Sequence, residues 1–334
     1  MSPSRQLRVH LLHGASDIRD RPDEADTLAQ VEEIGAAAGR LGFDVEAMAL
    51  GGDLAVLRTL SARGVDLVFN LVETLSGEGR LAHQVPRTLE QLGIPYTGCS
   101  ARALAATSDK TKAKRLMWAF GVPTPEWSSD GTGLTPDARV IVKPVWEDAS
   151  VGIDADSVVD AALAAPTLAA RKARFGGEWF AERFIDGREF SLSLLDRRGG
   201  PEILPVAETM FEGFPVGRPR IVDYEAKWRV DDFAYTHTPR RFDTTAADAP
   251  LTARLRALAL QCWSIFELEG YARVDFRVDP EGRPFVLEVN GNPCLSSDAG
   301  FVAAAAEHGL GFDDVIARIV AAALSKARLL TSHL

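Results

Sequence analysis

Cysteine is scarce in this sequence. The three present, Cys99, Cys262 and Cys294, are far apart and include no CxxC pair, which speaks against a disulfide framework and against a thiolate metal site. The six histidines are scattered, with no HExxH or comparable spacing, so zinc chemistry is not indicated. No apolar run approaches the roughly 18 residues of a membrane span, and the opening MSPSRQLRVHLLHG lacks the apolar core of a signal peptide. These absences predict a soluble, cytoplasmic protein with no membrane partner. Basic charge is also in deficit. A net charge of −10 argues against a nucleic-acid partner, because binding a phosphate backbone relies on clustered Lys and Arg.

What is present is ordinary globular material, 46% hydrophobic and 25% charged over 334 residues, enough for two or three lobes. Val9 to Leu12 reads as a strand, and Leu28, Val31, Ile34, Ala38 and Leu41 recur at helical spacing up to Gly42. Phe43 to Met48 and Val65 to Phe69 repeat the strand signal, Asp53 reads as a helix cap, and Leu81 to Leu92 as a helix stopped by Gly93. Alternation of this kind predicts an α/β unit with a parallel sheet.

Ser108 is placed to cap a helix over 109–120, stopped by Gly121 and followed by Pro123 and Pro125. Beyond it the pattern turns to hairpins. Strands are expected at Arg139 to Lys143, Glu178 to Ile185 and Glu189 to Leu195, the last two flanking the turn Asp186-Gly187-Arg188. Leu251 to Leu268 reads as a long helix, and the Ala-rich stretches 161–170 and 303–306 as helix rather than linker. No internal repeat is evident.

The segment YARVDFRVDPEGRPFVLEVN at 271–290 is two strand-like runs around a turn composition, Asp279-Pro280-Glu281-Gly282. Alternation puts Arg273 on one face with Asp275, and Glu288 on one face with Asn290, with Val274, Phe276, Leu287 and Val289 opposite. If the loop holds an even number of residues, the polar pairs face each other, and two carboxylates and an amide oxygen converge as a set of oxygen donors suited to Mg²⁺ beside ATP phosphates. Cross-strand ion pairs on a solvated hairpin are the competing explanation.

With Asp109-Lys110, VIVKP at 140–144, AERFIDGREF at 181–190 and DYEAKW at 223–228, this hairpin resembles the ATP-grasp superfamily, and within it the D-alanine–D-alanine ligases, from about Val68 to about Ile319. The resemblance implies an ATP-grasp fold behind an N-terminal parallel α/β domain, divided as 1–106, a small central lobe 107–186 and a C-terminal lobe 187–334 carrying the metal site. It implies ATP and Mg²⁺, with Mn²⁺ able to substitute, held by Asp275, Glu288 and Asn290. Lys110 and Lys143 would reach the phosphates, Glu182 and the backbone of Phe184 the adenine, and Glu189 the ribose hydroxyls. Ser150, in the loop 147–152, would help cover the phosphates. Lys227 would approach the γ-phosphate from a lid over 210–242, and Arg273 would steady the charge of the intermediate. A solvated helix face shared with Lys112 and Lys114 competes for Lys110, structural strand roles compete for the glutamates, and an ordinary surface lysine competes for Lys227.

The implied reaction is attack of a substrate carboxylate on the γ-phosphate, followed by displacement of phosphate by an amine to give an amide. Partners would be small carboxylates and amines, amino acids or a short peptide, and a homodimer is what the family suggests. The substrate half of the pattern departs from the family. In place of its Gly-Gly turn stands His13-Gly14-Ala15-Ser16-Asp17, with no clear equivalent of the nearby glutamate. Glu73 replaces a histidine, Ala149 a serine and Trp228 a tyrosine, and the segment that grips the second substrate reads Pro293-Cys294-Leu295-Ser296-Ser297-Asp298-Ala299. These changes predict a related ligase with a different substrate pair, in which Glu73 or Asp298 meets an ammonium or a basic side chain. The alternatives are a D-alanine–D-alanine ligase proper, and a regulatory protein or phosphotransferase on the same fold.

Overall fold

The computed structural model describes residues 5–15, 22–147, 150–197, 199–242 and 245–331, without the side chains of 22–24 and 329–331. In chain order its strands and helices are β1 (Arg8–Gly14), α1 (Pro22–Arg40), β2 (Asp44–Leu50), α2 (Arg58–Ala62), β3 (Leu67–Leu71), α3 (Gln84–Leu92), α4 (Ala101–Ser108) and α5 (Lys110–Ala119). There follow β4 (Trp127–Ser128), β5 (Arg139–Pro144), β6 (Val158–Asp160), α6 (Ala164–Phe175), β7 (Trp179–Arg183) and β8 (Arg188–Leu195). The remainder is β9 (Glu202–Ile203), β10 (Ala207–Thr209), α7 (Tyr224–Trp228), α8 (Phe233–Thr236), β11 (Arg240–Arg241), α9 (Ala249–Ile265), β12 (Tyr271–Val278), β13 (Pro284–Asn290), α10 (Gly300–Glu307) and α11 (Phe312–Thr331). No helix among the described residues is long and apolar enough to cross a membrane.

Three sheets are formed among the described residues. The first is parallel, in the order β2-β1-β3, as the alternating N-terminal pattern predicts. Its helix α1 stops where Gly42 turns to φ +85°, a conformation open to glycine at little cost. The second sheet is antiparallel, β4-β7-β5-β6, and the third runs β11-β10-β8-β12-β13 with β9 added on β8. The chain passes from the second to the third within the turn between Arg183 and Arg188.

Two local expectations are corrected. Asp109, not Ser108, caps α5: its carboxylate accepts from the N–H groups of Thr111 and Lys112 at 3.1 and 2.9 Å, an ionised acceptor where the helix exposes unpaired donors. Ser108 instead ends a separate helix, α4, by donating to Leu104 O. In the hairpin, Val286 rather than Leu287 joins the buried face, for a reason given below.

The buried apolar side chains fall into separate clusters. Val9, Leu11, Leu67 and Phe69 of the parallel sheet share one apolar cluster with Val31 and Ile34 of α1 and with Val315, Ile316, Ile319 and Val320 of α11. The third sheet buries Phe190, Leu192, Val274, Phe276, Val286 and Val289 against Leu255, Ala259 and Cys262 of α9 and Ala113 and Met117 of α5. At about 1.5–3 kcal/mol per large buried side chain, that layer fixes which face of β8, β12 and β13 is apolar. The other face is thereby left for polar chemistry.

Candidate active site

Directly paired residues on β8 and β12 are Glu189 with Arg277, Ser191 with Asp275 and Ser193 with Arg273. On the other side of β12, Arg273 pairs with Asn290 and Asp275 with Glu288. The loop between β12 and β13, 279–283, has five residues, an odd number that by itself would set Asp275 opposite Leu287. A register shift after Asp275 restores the match, since Phe276 already pairs with Val286. This β-bulge inserts one extra residue into β13 and re-aims the side chains beyond it. The bulge, not the loop, therefore brings the two carboxylates together.

Arg273 lies between them. Its Nε and Nη2 donate to Asp275 at 2.9 Å each, and Nη2 is 3.9 Å from Glu288 Oε1. Ser191 Oγ also donates to Asp275 at 2.7 Å, and Lys110 Nζ is 4.0 Å from Glu288 Oε2. Asn290 Oδ1 accepts the N–H of Asn292 at 2.8 Å and keeps a second lone pair. Among the described residues no three His, Cys, Asp or Glu side chains converge as a metal cluster; Asn290, paired with Arg273 beside Asp275 and Glu288, is an amide oxygen on the same face. Hard oxygen donors around a point already favoured by a guanidinium fit a divalent cation such as Mg²⁺.

The second group lies on the small sheet. Val140 and Val142 of β5 and Trp179 and Ala181 of β7 pack on Ala164 and Leu168 of α6, which turns Lys143 and Glu182 to the opposite face. Glu182 is fully buried and forms ion pairs with Lys143 and, at 2.5 Å, with Lys114. Burial pushes its carboxyl up, but the two ammonium groups outweigh that and hold it below the usual range. Glu182 is thus paired with two lysines, as a buried charge requires. The solvated-face explanation for Lys110 fails. Lys110 and Lys114 of α5 are both buried, and only Lys112 stands on the solvent side.

Phe184 donates its N–H to Arg139 O at 2.9 Å, which leaves its carbonyl as the backbone group it could offer a base. Glu189 is 2.7 Å from Arg277 Nη2. Arg277 is almost wholly buried and also donates to Gly187 O at 3.2 Å and to Arg220 O, tying the turn between the two sheets to the expected lid. Ser150 Oγ donates to Val222 O at 2.8 Å, so the loop expected to cover the phosphates touches the segment expected to form the lid. Asp148 and Ala149 of the loop, and Ser16 and Asp17 of the first turn, lie outside the described residues. Lys227 is on α7 with its ammonium 5.3 Å from the centre of the Trp228 ring.

Glu73 lines a small cavity with Val72, Thr107, Ser108 and Asn290. Tyr271 and Asn292 tie that loop to the hairpin, the tyrosine hydroxyl donating to Asn292 Oδ1 at 2.8 Å and Asn292 Nδ2 to Val72 O at 3.3 Å. Asp298 is exposed and accepts from Ser296 Oγ at 2.9 Å. Sequence reasoning missed a third acid here, Asp26, which takes the Cys294 thiol at 3.1 Å. Burial and the acids Glu73 and Asp26 push that thiol up to about 12, so Cys294 is a neutral donor and not a thiolate nucleophile. Gln30 accepts from the N–H of Leu295, and Glu33 from the N–H and hydroxyl of Ser297, each at 2.7 Å. Asp26, Gln30 and Glu33 follow the i, i+4, i+7 spacing of one face of α1. That polar stripe was visible in the sequence beside the apolar one.

A family model described as D-ala D-ala ligase C-terminus matches residues 137–321. A D-alanine–D-alanine ligase of Bordetella pertussis is 33% identical to this chain over 281 residues, 81% of this chain and 83% of the other. One of Cupriavidus necator is 30% identical, with 86% and 85% covered. The uncharacterized protein y4sG of Sinorhizobium fredii is 34% identical over 81% of each chain. A crystal structure of D-alanine–D-alanine ligase from Bacillus anthracis, complexed with ATP, superposes with a TM-score of 0.74 at 20% identity, covering 97% of this chain and 99% of that one.

Proposed function

The chain belongs to the D-alanine–D-alanine ligase family of the ATP-grasp fold, and from that premise we propose that it is an ATP-dependent, ADP-forming ligase that joins a carboxylate to an amine through an acyl phosphate. The observation that carries this reading is the polar face on which Asp275 is paired with Glu288 and Asn290 with Arg273, with Lys110 beside Glu288. Asp275, Glu288 and Asn290 would hold Mg²⁺, or Mn²⁺ in its place, and the ion would neutralise charge on the transferring phosphoryl group.

The protein's own groups do the remainder. Lys143 and Lys110 hold the phosphates, Glu189 and the carbonyl of Phe184 orient the nucleoside, and Ser150 and Lys227 close over the γ-phosphate. A substrate carboxylate oxygen then attacks the γ-phosphorus and the bond to ADP breaks. Arg273 steadies the negative charge that develops. Closure over 210–242 keeps water from the acyl phosphate until the amine attacks its carbonyl carbon and phosphate departs. ATP supply and three free thiols suit a cytoplasmic setting.

The substrate pair differs from two D-alanines on this reading. Asp26, Glu73 and Asp298 are gathered around the acceptor segment by the hydrogen bonds to Cys294 and Ser296 and by the Asn292 link, which favours a substrate with an ammonium or a basic side chain over a neutral one. The test is phosphate release from Mg·ATP with amino acids pooled as neutral, acidic and basic, with mass detection of products. Release is expected only when a carboxylate and an amine partner are both supplied, and most strongly with the basic pool. Full turnover with D-alanine alone would make the chain a D-alanine–D-alanine ligase proper. A phosphorylated acceptor without free phosphate would make it a kinase.

A further inference from the structure

Lys114 has no part in the scheme of transfer, yet among the described residues it is, with Glu182, one of two charged side chains near the site that have none of their surface exposed. Its Nζ is 2.5 Å from Glu182 Oε2, donates to Thr124 Oγ1 at 2.8 Å and lies 3.5 Å from Leu287 O. Thr124 Oγ1 donates in turn to Val286 O, and the N–H of Val286 to Pro123 O, both at 2.8 Å. One ammonium therefore touches both halves of the site. On one side is the carboxylate that engages Lys143, and on the other are the carbonyls at the β-bulge that sets Glu288 opposite Asp275.

Charge adds a second argument. Lys114, Glu182 and Lys143 together carry one surplus positive charge in a nearly closed space, and burial pulls the Lys114 ammonium below its usual range. Such a surplus is costly alone and is relieved by an anion. With Lys114 absent, Glu182 and Lys143 would close into a neutral pair, and Lys143 would no longer bring an uncompensated charge to a phosphate.

We propose that Lys114 is a positioning residue that couples the nucleotide pocket to the metal hairpin: it engages Glu182 so that the charge of Lys143 is left for the phosphates, and it holds the bulge that registers Glu288 against Asp275. This role rests on the reading of the chain as an ATP-dependent ligase.

The test is calorimetric titration of the full-length protein with ATP, without metal and with saturating Mg²⁺. Lys114→Met keeps the length of the side chain and removes the charge. It is expected to weaken metal-free ATP binding by about 10-fold or more, the loss of one charge-assisted contact, and also to reduce the tightening that Mg²⁺ confers. Adding Glu182→Gln to Lys114→Met is expected to weaken metal-free binding by clearly less than the product of the two single effects, as groups acting through one another do. Thr124→Val cuts only the link to the hairpin, so it is expected to reduce the Mg²⁺ effect with little change in metal-free affinity. A folded Lys114→Met protein with wild-type ATP affinity in both conditions would show that Lys114 only fills the core. If Lys114→Met does not fold, Thr124→Val decides, and an unchanged Mg²⁺ effect overturns the coupling. A wild-type protein that binds no ATP sinks the ligase reading itself. Wild-type binding with an equally tight variant sinks only the role of Lys114.

Discussion

Asp275→Asn or Glu288→Gln is expected to lower turnover by about 10²–10³-fold or more, the scale on which loss of a group aimed at developing charge acts. Each change is nearly isosteric, so the buried layer of Phe276, Val286 and Val289 beneath the hairpin is untouched and the fold is expected to survive. What changes is charge. Asp275→Asn withdraws the anion on which Arg273 now rests and to which Ser191 donates, and Glu288→Gln withdraws the carboxylate 4.0 Å from Lys110. Both remove a hard anionic donor, so the Mg²⁺ requirement is expected to rise along with the fall in turnover. Wild-type activity in either variant at limiting Mg²⁺ would remove the metal assignment and return these residues to the status of cross-strand ion pairs.

Lys143→Ala is expected to weaken ATP binding by about 10–100-fold, since contacts to charged groups contribute about 1.5–3 kcal/mol. Stability is expected to change less, because Glu182 keeps Lys114 at 2.5 Å. That asymmetry makes the variant informative: the same lysine cannot be both the sole counter-ion of Glu182 and dispensable to it. Titration with ATP beside a thermal melt separates the two roles. Unchanged nucleotide affinity with a large loss of stability would assign Lys143 to Glu182 alone.

Much of this architecture is legible in the sequence because it rests on local signals. Hydrophobic period marks α1 and β1, positive-φ glycines mark where α1 and α3 end, and the turn at 186–188 separates β7 from β8. What could not be read depends on partners distant in the chain. The bulge opposite Phe276 leaves no composition cue in PFVLEVN, and it alone sets Asp275 against Glu288 when the loop has five residues. Lys114 looked like one more lysine on a solvated helix. It is buried because β7 and the Pro123-Thr124 segment cover that face of α5, and no spacing within KTKAK reveals which lysine they cover. Asp26, Gln30 and Glu33 are legible as a polar stripe of α1, but a polar stripe ordinarily faces water, and nothing in its spacing shows that the distant segment 294–297 lies against it.

The acyl phosphate is the central claim, and it can be read from the fate of one oxygen. When the amino-acid pool that supports phosphate release is supplied with ¹⁸O-labelled carboxyl groups, each amide formed is expected to leave one ¹⁸O in the inorganic phosphate, because the attacking carboxylate oxygen departs bonded to phosphorus. Unlabelled phosphate alongside amide product, or ¹⁸O found in AMP, would contradict the account.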